Sequence, residues 1–384
     1  MISQSVHIQV HFDNSAEQIA NLPLTPGIYL LQTPGKPPHL SWCPNLRKRI
    51  TRLLDPSYTL VRRIRESMAQ IECWPAGSKL ESMLLMCRLA KQYFPHDYMK
   101  RTRLRLPTFL AILDGNGFAR LAVVRDVPRK DAGAGLWGPF PSREAAEWYG
   151  EEVSALFQLR RCTDVLAPHA EHPGCIYGEM NQCLRPCQAR VSIEEYKSEE
   201  VRVRQFLADN GKSTTAALSE ARDQASQAMD FEQAALIHKR IEKIQAAISA
   251  RDKTVFEVRE FNGVALTGGG AEQEFKLWPM WQGLWQPPVV LDFTPAGDRR
   301  KPLDVEIRER LTESFANPWQ DGQQAEDLAV FSRWYFSSWR DGEWFPFRSL
   351  NNLNYRKLVR ELSKMSKDRT PTGTASPSGV NVRT

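Results

Sequence analysis

Four closely spaced cysteines are the residues of this sequence that point most directly to chemistry. They lie within residues 162–187 and are Cys162, Cys175, Cys183 and Cys187, whereas the other three cysteines are scattered singly. In a reducing compartment thiols stay unpaired, so four neighbouring thiolates favour a metal centre over disulfides. Their spacing lacks the paired C-x-x-C knuckles typical of structural zinc, and it suits an iron–sulfur cluster at least as well. The alternative is that the four side chains are small buried hydrophobes.

Basic side chains are concentrated in the first part of the chain and indicate a polyanionic partner. The net charge is +6, but residues 1–110 hold 15 Lys and Arg against 7 Asp and Glu. This uneven balance favours nucleic acid, although a solvated basic face gives the same count. Asn45 is a suitable N-cap for a helix with apolar residues at helical spacing. The basic residues of that helix are the predicted DNA contacts, which bind phosphates without reading sequence: Arg47, Lys48, Arg49 and Arg52.

The sequence shows no targeting or membrane segment. Residues 1–14 have no basic region followed by a long apolar run, so a secretory signal is not expected. No uninterrupted apolar stretch approaches the ~20 residues that a membrane helix needs. We therefore expect a cytoplasmic protein that does not span a membrane.

Apolar periodicity predicts an α+β protein that begins with a small mixed domain. Residues 26–31 predict a turn into a strand, and residues 80–93 predict a strongly apolar helix. Arg101, Arg103 and Arg105 alternate with apolar side chains, which predicts a further strand.

The middle of the sequence predicts a hairpin followed by helices. Residues 109–124 predict two strands around an Asp-Gly turn, and Ser142 is the predicted cap of the next helix. Residues 193–207 and 214–250 have helical periodicity, and the second stretch needs a break near Met229 that gives two antiparallel helices.

The last part of the sequence predicts strands, then helices, then a tail. One predicted helix has an apolar face that is more typical of a core than of a base-stacking surface: Leu328, Phe331, Tyr335 and Trp339. Residues 366–384 lack large apolar side chains and are rich in Thr, Ser, Pro and Gly. Such a segment cannot offset its ordering entropy, so we predict disorder there.

Four segments, in order, resemble the N-terminal half of UvrC-type excinuclease subunits and of the shorter Cho-like homologues. They are residues 26–29 with 45–49, residues 138–140 with 159–162, residues 175–187, and residues 228–235. The first is similar to the GIY-YIG nuclease motif, and the last is similar to the UVR helical hairpin. A GIY tripeptide alone is a weak signal, but four elements in this order and spacing are specific.

The resemblance implies a nuclease domain whose active site is degenerate. In the family, the first motif tyrosine positions water or transfers a proton and a helix arginine holds phosphate, and these correspond to Tyr29 and Arg49. The second tyrosine corresponds to His39. The metal-binding glutamate corresponds to Met86, whose thioether cannot replace a carboxylate for Mg²⁺ or Mn²⁺. We therefore predict that the fold is kept while metal binding and phosphodiester cleavage are lost or weakened.

An alternative register leaves an active enzyme. In that case Glu81 or Glu72 reaches the site and supplies the missing carboxylate. The residue that faces Tyr29 and Arg49 in space distinguishes the two possibilities.

The resemblance also implies a cofactor and a protein partner. The four clustered cysteines correspond to the ligands of a [4Fe-4S] cluster, with zinc as the alternative occupant. The hairpin corresponds to a module that docks on the UvrB helicase subunit, here through Phe231, Ala234 and Ala235, although His238 and Lys239 replace the usual Arg-Asp pair. The alternative is an ordinary hairpin that packs on its own domain.

The predicted organisation has five parts. They are a degenerate GIY-YIG-like domain (residues 15–110), a linker hairpin with the cysteine-cluster domain (111–210), the UVR hairpin (211–250), an unassigned α/β C-terminal domain (251–365) and the disordered tail (366–384). The predicted function is that of a UvrC-like, DNA-binding repair protein of the nucleotide excision type with lost or weakened nuclease activity. The alternatives are an active Cho-like endonuclease that incises damaged DNA and a non-catalytic regulatory protein that binds UvrB or DNA.

Overall fold

The structure, a computed structural model, combines helices with antiparallel sheets. It describes residues 8–10, 15–55, 70–114, 116–125, 135–292, 301–316, 318 and 323–369. Helices and antiparallel strands are interspersed along these residues, so the predicted α+β class is confirmed. No helix in this described part is long and apolar enough to cross a membrane.

A four-stranded antiparallel sheet forms the N-terminal region. Its strands are β1 (Ile8–Val10), β2 (Gly27–Gln32), β3 (His39–Cys43) and β4 (Gln70–Pro75), in the order β1-β4-β2-β3. The accompanying helices are α1 (Ser15–Ala20) and α2 (Leu46–Leu54). As predicted, Asn45 caps α2, because its side-chain oxygen accepts a hydrogen bond from the Lys48 N–H at 2.9 Å.

The two faces of this sheet pack against different helices because side chains alternate along β2. Tyr29 and Leu31 belong to the core on the α2 side, together with Ile50 of α2. Ile28 and Leu30 belong to the core on the other side, which α3 (Lys79–Tyr93) covers.

Helix α3 is shared between two cores. Leu85 and Leu89 pack on the N-terminal sheet. Leu80 and Leu84, on another side of the helix, join a cluster with C-terminal residues such as Phe331. The helix therefore connects the N-terminal sheet to the C-terminal region.

The strand predicted around Arg101 is wrong. Arg101 lies in a short helix, α4 (Tyr98–Thr102), and Arg103 ends that helix in the left-handed conformation with φ 53°. The chain then runs without regular structure to Thr108, with Leu104 buried and both Arg103 and Arg105 exposed. The alternation thus reflects one-sided burial of an irregular segment.

A second antiparallel sheet occupies the middle of the chain. It contains β5 (Thr108–Leu113), β6 (Arg120–Val124), β7 (Leu136–Phe140) and β8 (Phe256–Glu257), in the order β6-β5-β7-β8. Strands β5 and β6 are the predicted hairpin. Helix α5 (Arg143–Leu156) packs on this sheet, and Ser142 caps it by accepting a hydrogen bond from the Ala145 N–H at 3.2 Å. The cysteine segment contains a short helix, α6 (Ile176–Glu179), and a 3-10 turn (Pro186–Gln188).

Three long helices follow the cysteine segment. They are α7 (Ile193–Asp209), α8 (Lys212–Gln227) and α9 (Phe231–Ala250). The predicted break is confirmed: Met229 has φ 59° in the turn, and Asp230 caps α9. Only the second half of α9 is buried, through Ile241, Ile244 and Ala247, and the described α8 has no buried residue. The hairpin therefore projects from the body of the protein at its turn end.

The C-terminal region is an antiparallel sheet with helices. Strands β9 (Gly263–Gly268), β10 (Glu274–Trp281), β11 (Leu284–Trp285) and β13 (Gly342–Pro346) form the order β11-β10-β9-β13, and β12 (Val289–Asp292) also pairs with β10. Its helices are α10 (Leu303–Ala316), α11 (Gln324–Tyr335) and α12 (Tyr355–Arg369).

The predicted aromatic face is buried in part, and helix α12 extends into the predicted tail. Leu328 and Phe331 of α11 are fully buried, as expected for a core, whereas Trp339 is partly exposed. Helix α12 continues to Arg369, beyond the predicted start of the tail at residue 366. Residues 370–384 of the predicted tail lie outside the described residues.

Candidate functional site

Tyr29 and Arg49 meet on the α2 side of the N-terminal sheet. The Tyr29 hydroxyl accepts hydrogen bonds from Nε and Nη2 of Arg49 at 3.0 and 2.9 Å. The Tyr29 side chain is buried at 1% exposure, and Arg49 is half-buried. A strand and a helix thus hold a phenol and a cation together, but the phenol is almost closed off from solvent.

His39 lies beside this pair, at the position that corresponds to the second motif tyrosine. Its ring centroid is 6.3 Å from that of Tyr29. The strand register pairs Tyr29 with Ser41 and Leu31 with His39, so these side chains share one face of the sheet. Trp42, near the end of β3, is 44% exposed. The structure thus places Tyr29 and His39 near each other on one face of the sheet.

Helix α3 lies on the face of the sheet away from Tyr29. Met86 packs against the core that contains Ile28 and Leu30. Neither Met86 nor a carboxylate at its position would face the Tyr29 hydroxyl. Among the described residues, no carboxylate forms an ion pair with Arg49.

The two alternative carboxylates also lie elsewhere. Glu81 is buried, and it accepts hydrogen bonds from Lys276 Nζ at 2.6 Å and from the Gly77 N–H at 2.8 Å. Glu72 is opposite Leu30 in the strand register, so it points to the α3 face and accepts a hydrogen bond from Gln32 at 2.7 Å. Glu81 therefore stabilises contact with the C-terminal region instead of facing the phenol.

Arg47 and Arg49, which belong to the predicted DNA contacts on α2, make hydrogen bonds within the protein. Arg47 Nε donates a hydrogen bond to the Leu22 carbonyl at 2.6 Å, and Arg49 is bound to Tyr29. Lys48 and Arg52 are exposed. The helix therefore presents a smaller basic surface than its sequence suggests.

The four clustered cysteines are free thiols that differ in burial. Cys183 and Cys187 are buried, and Cys162 and Cys175 are half-buried, all as free thiols. Burial raises the pKa of Cys183, and each of the other three cysteines raises it further. The charge of a thiolate at any of the other three cysteines therefore disfavours the thiolate form of Cys183.

Two N–H groups point at sulfur atoms of this group. The Arg185 N–H donates to Cys183 Sγ at 3.4 Å, and Arg160 Nη1 lies 3.8 Å from Cys162 Sγ. Arg160 is itself 5% exposed and fixed by the Phe118 carbonyl at 2.8 Å. N–H donors of this kind stabilise thiolate ligands and adjust cluster potentials.

The arrangement does not fit a single ion. Within the part of the chain that the structure describes, no three His, Cys, Asp or Glu side chains are close enough to hold one metal ion. Tetrahedral zinc, with Zn–S of about 2.3 Å, needs sulfur atoms roughly 3.8 Å apart.

The turn end of the α8–α9 hairpin exposes apolar side chains. Phe231 is 67% exposed, Met229 78% and Leu236 63%. Of the other predicted docking residues, Ala234 is half-buried and Ala235 is exposed. This apolar tip is not part of the protein core.

Sequence reasoning missed a cleft between the middle sheet and α11. Arg103, Arg105, Arg125, Arg143 and Arg333 line it, from four separate segments of the chain. The alternating arginines before β5 are the sequence signal for this cleft, but alternation by itself predicts a strand. Their convergence with residues far along the sequence depends on tertiary structure.

Comparison with known proteins gives a family match for the middle of the chain. Residues 108–208 match the family model described as UvrC/Cho excinuclease, middle domain. These residues run from β5 to the end of α7 and include all four clustered cysteines.

Several curated relatives are UvrABC system proteins C. That of Oleidesulfovibrio alaskensis is 28% identical over 258 residues, which cover 66% of this chain and 36% of the relative. That of Carboxydothermus hydrogenoformans is 26% identical over 324 residues, or 79% of this chain and 53% of the relative. The chain thus spans about a third to a half of these relatives. No solved structure gives a significant match.

These matches show similarity to UvrABC system proteins C and to the middle domain of UvrC/Cho excinucleases. The similarity to the UvrC/Cho-type excinuclease family is therefore established for residues 108–208, the range that matches its family model.

Proposed function

We propose that this protein is a UvrC-like component of nucleotide excision repair that binds DNA and has lost or nearly lost phosphodiesterase activity. The observation that supports the loss is the position of α3: Met86 packs on the sheet face opposite Tyr29. The 1% exposure of Tyr29 supports it further, because its hydroxyl is already bound to Arg49 and not open to water.

These observations matter because of what phosphodiester cleavage requires. Cleavage of a phosphodiester needs an activated water and stabilisation of the charge that develops on the phosphate, which a divalent ion supplies in metal-dependent nucleases. Such hard cations need oxygen ligands. Arg49 can still attract a phosphate, but attraction alone does not activate water. The site is therefore suited to contact DNA and not to cut it.

DNA contact is assigned to the exposed part of α2. Lys48 and Arg52 are exposed on one surface of this helix, with the Tyr29–Arg49 pair beside them. Such contacts release counterions, so affinity should fall steeply as salt rises. Duplex affinity that stays flat between low and high salt would argue against this assignment.

We propose that Cys162, Cys175, Cys183 and Cys187 hold a [4Fe-4S] cluster, with zinc as the alternative. The electrostatic effect of the other three cysteines on Cys183, together with N–H donors at two of the sulfur atoms, supports a thiolate-ligated centre. When bound, such a cluster cross-links the segment and can exchange electrons. Arg160 and Arg185 orient two of the sulfur atoms by hydrogen bonding. Iron and acid-labile sulfide near zero after anaerobic purification would exclude the cluster.

We propose that the hairpin tip docks on a UvrB-like helicase subunit. The exposure of Phe231 and Leu236 favours docking over the alternative in which the hairpin packs on its own domain. This exposure also supports a second candidate function, that of a non-catalytic regulator that occupies UvrB. Capture of UvrB by the wild type but not by Phe231→Ala, with unchanged stability, would support docking.

The deciding experiment measures metal-dependent nicking. Supercoiled plasmid and a lesion-bearing duplex are incubated with the cluster-loaded protein, UvrA and UvrB in Mg²⁺ or Mn²⁺, with Tyr29→Phe and Arg49→Ala as controls. We expect no nicking above background. Nicking that both substitutions abolish would establish an active Cho-like endonuclease and overturn the proposal.

A further inference from the structure

The cleft between the middle sheet and α11 is lined by an excess of cations. Its volume is about 1060 Å³. One side is formed by residues between 103 and 108 and by Arg125, which follows β6. A second side is formed by the start of α5. The third side is formed by residues of α11 and by Phe336 and Ser337, which follow that helix. Five arginines line it, and Glu144 is the acidic lining residue.

Three of the five arginines are exposed and unpaired toward the described residues. Arg103, Arg105 and Arg125 form no ion pair and donate no side-chain hydrogen bond to any described residue. The other two have internal roles. Arg143 pairs with Glu147 at 2.6 Å, and Arg333 donates to the carbonyls of the α4 end.

The surroundings of Glu144, an acidic residue that lines the cleft, stabilise its negative charge. Glu144 lies at the start of α5, and its pKa is lowered first by its own backbone N–H and the Ser142 hydroxyl, then by Arg125 and Arg143. The N-terminus of the 14-residue helix α5 adds partial positive charge at the same place. Unpaired guanidinium groups in a concave surface repel one another, and a bound anion relieves that repulsion.

The spacing and lining favour an extended polyanion. Arg103 and Arg105 are separated by one residue, Leu104, which is buried, so both side chains emerge on the solvent side. The five lining arginines come from four separate segments of the chain, so their positive charge is distributed around the cleft. Half-buried Phe336 supplies an aromatic ring among them. Basic grooves with an aromatic side chain are typical of single-stranded nucleic-acid sites.

We propose that this cleft binds the sugar–phosphate backbone of single-stranded DNA. Arg103, Arg105 and Arg125 contact phosphates, and Phe336 stacks on a base. The cleft can hold a few nucleotides but is too small for a duplex. The choice of DNA rests on the proposed repair function, whereas preference for a phosphodiester strand rests on the cleft itself.

The test compares two double substitutions that remove the same charge. Arg105→Gln with Arg125→Gln removes two unpaired cleft cations, and Arg356→Gln with Arg360→Gln removes two exposed cations from α12. Binding of a fluorescent single-stranded oligonucleotide is measured by anisotropy at several salt concentrations. Circular dichroism checks that each variant is folded.

We expect the cleft variant to lose about 25-fold in affinity at 0.1 M salt. Each phosphate contact to a single strand contributes roughly 0.7 to the salt slope, so two contacts lower it by about 1.4. The α12 variant should keep the wild-type slope. Phe336→Leu, which keeps an apolar side chain, should weaken binding roughly 5- to 150-fold without changing the slope.

Other outcomes separate the two proposals. If the wild type binds DNA and the cleft variant matches the α12 variant, the cleft proposal is overturned while DNA binding through α2 stands. Binding to duplex but not to single strands also overturns the cleft proposal alone. If the wild type binds neither form, DNA binding itself is wrong and both proposals fall.

Discussion

Replacing Glu81 with glutamine tests whether this carboxylate stabilises the fold instead of serving catalysis. The Glu81 side chain is 7% exposed and that of Lys276 is 16% exposed, and their charged atoms are 2.6 Å apart. Both charged side chains are therefore largely removed from water. Removing one partner of a buried pair leaves the other uncompensated, which costs about 3–5 kcal/mol.

A second carboxylate near Lys276 reduces the expected loss of stability in Glu81→Gln. Lys276 Nζ is also 3.6 Å from Glu274, whose side chain is 30% exposed. This second carboxylate partly compensates Lys276 in Glu81→Gln, so we expect a loss near the lower limit, about 3 kcal/mol. Lys276→Met leaves Glu81 buried with its backbone hydrogen bond alone, so its loss should be larger. The double substitution should cost less than the sum by about 1–3 kcal/mol, because the partners act as a unit.

Urea denaturation followed by tryptophan fluorescence measures these free energies. Glu309→Gln is the matched control, since its pair with Lys301 has side chains 50% and 58% exposed and should contribute little to stability in solvent. The nicking assay is repeated on each variant. If Glu81→Gln is as stable as Glu309→Gln yet changes nicking, Glu81 has a catalytic role and the reasoning is refuted.

Three further predictions concern other parts of the molecule. Burial raises the pKa of Asp327 to about 7, so between about pH 4 and pH 7 the folded state keeps a proton that the unfolded state loses. Stability should therefore fall as pH rises through that window, and thermal unfolding of Asp327→Asn should show a flatter pH profile. Phe231→Ala should change the free energy of unfolding by under about 0.5 kcal/mol while abolishing UvrB capture, whereas Ile241→Ala, 4% exposed, should cost about 2–4 kcal/mol in urea denaturation. Cys175→Ser should lower the iron content after anaerobic purification, and Cys87→Ser, outside the cluster, should leave it unchanged.

The elements that were predictable depend on local chemistry. The Asn45 and Ser142 caps, the β5–β6 hairpin and the break at Met229 each follow from side chains within a few residues of one another. A cap needs only an oxygen that can reach an N–H two or three residues later. Such features survive without knowledge of the tertiary fold.

The features that were missed depend on distant contacts. Arg101, Arg103 and Arg105 alternate like strand residues, but a left-handed turn at Arg103 ends a helix there, and alternation alone does not reveal it. The role of Glu81 depends on Lys276, which lies 195 residues later in the chain. Periodicity reports which side of an element is buried but not which element covers it.

The position of Met86 is set by packing on both sides of helix α3. Met86 belongs to the side of α3 that packs on the N-terminal sheet, and Leu84 belongs to the side that packs on the C-terminal region. The helix is therefore held from both sides, and its register is set by packing.

Met86→Glu should consequently restore no nuclease activity. The new carboxylate would enter the core formed by Ile28 and Leu30, on the sheet face opposite the Tyr29 hydroxyl. Burying a carboxylate without a partner is unfavourable, so urea denaturation should show a loss of roughly 1–3 kcal/mol, smaller than for a fully buried site because Met86 is half-buried. Met86→Gln is the matched control for polarity without charge. Nicking by Met86→Glu that Tyr29→Phe abolishes would show that α3 can bring a metal ligand to the phenol, and the assignment of the two faces would be wrong.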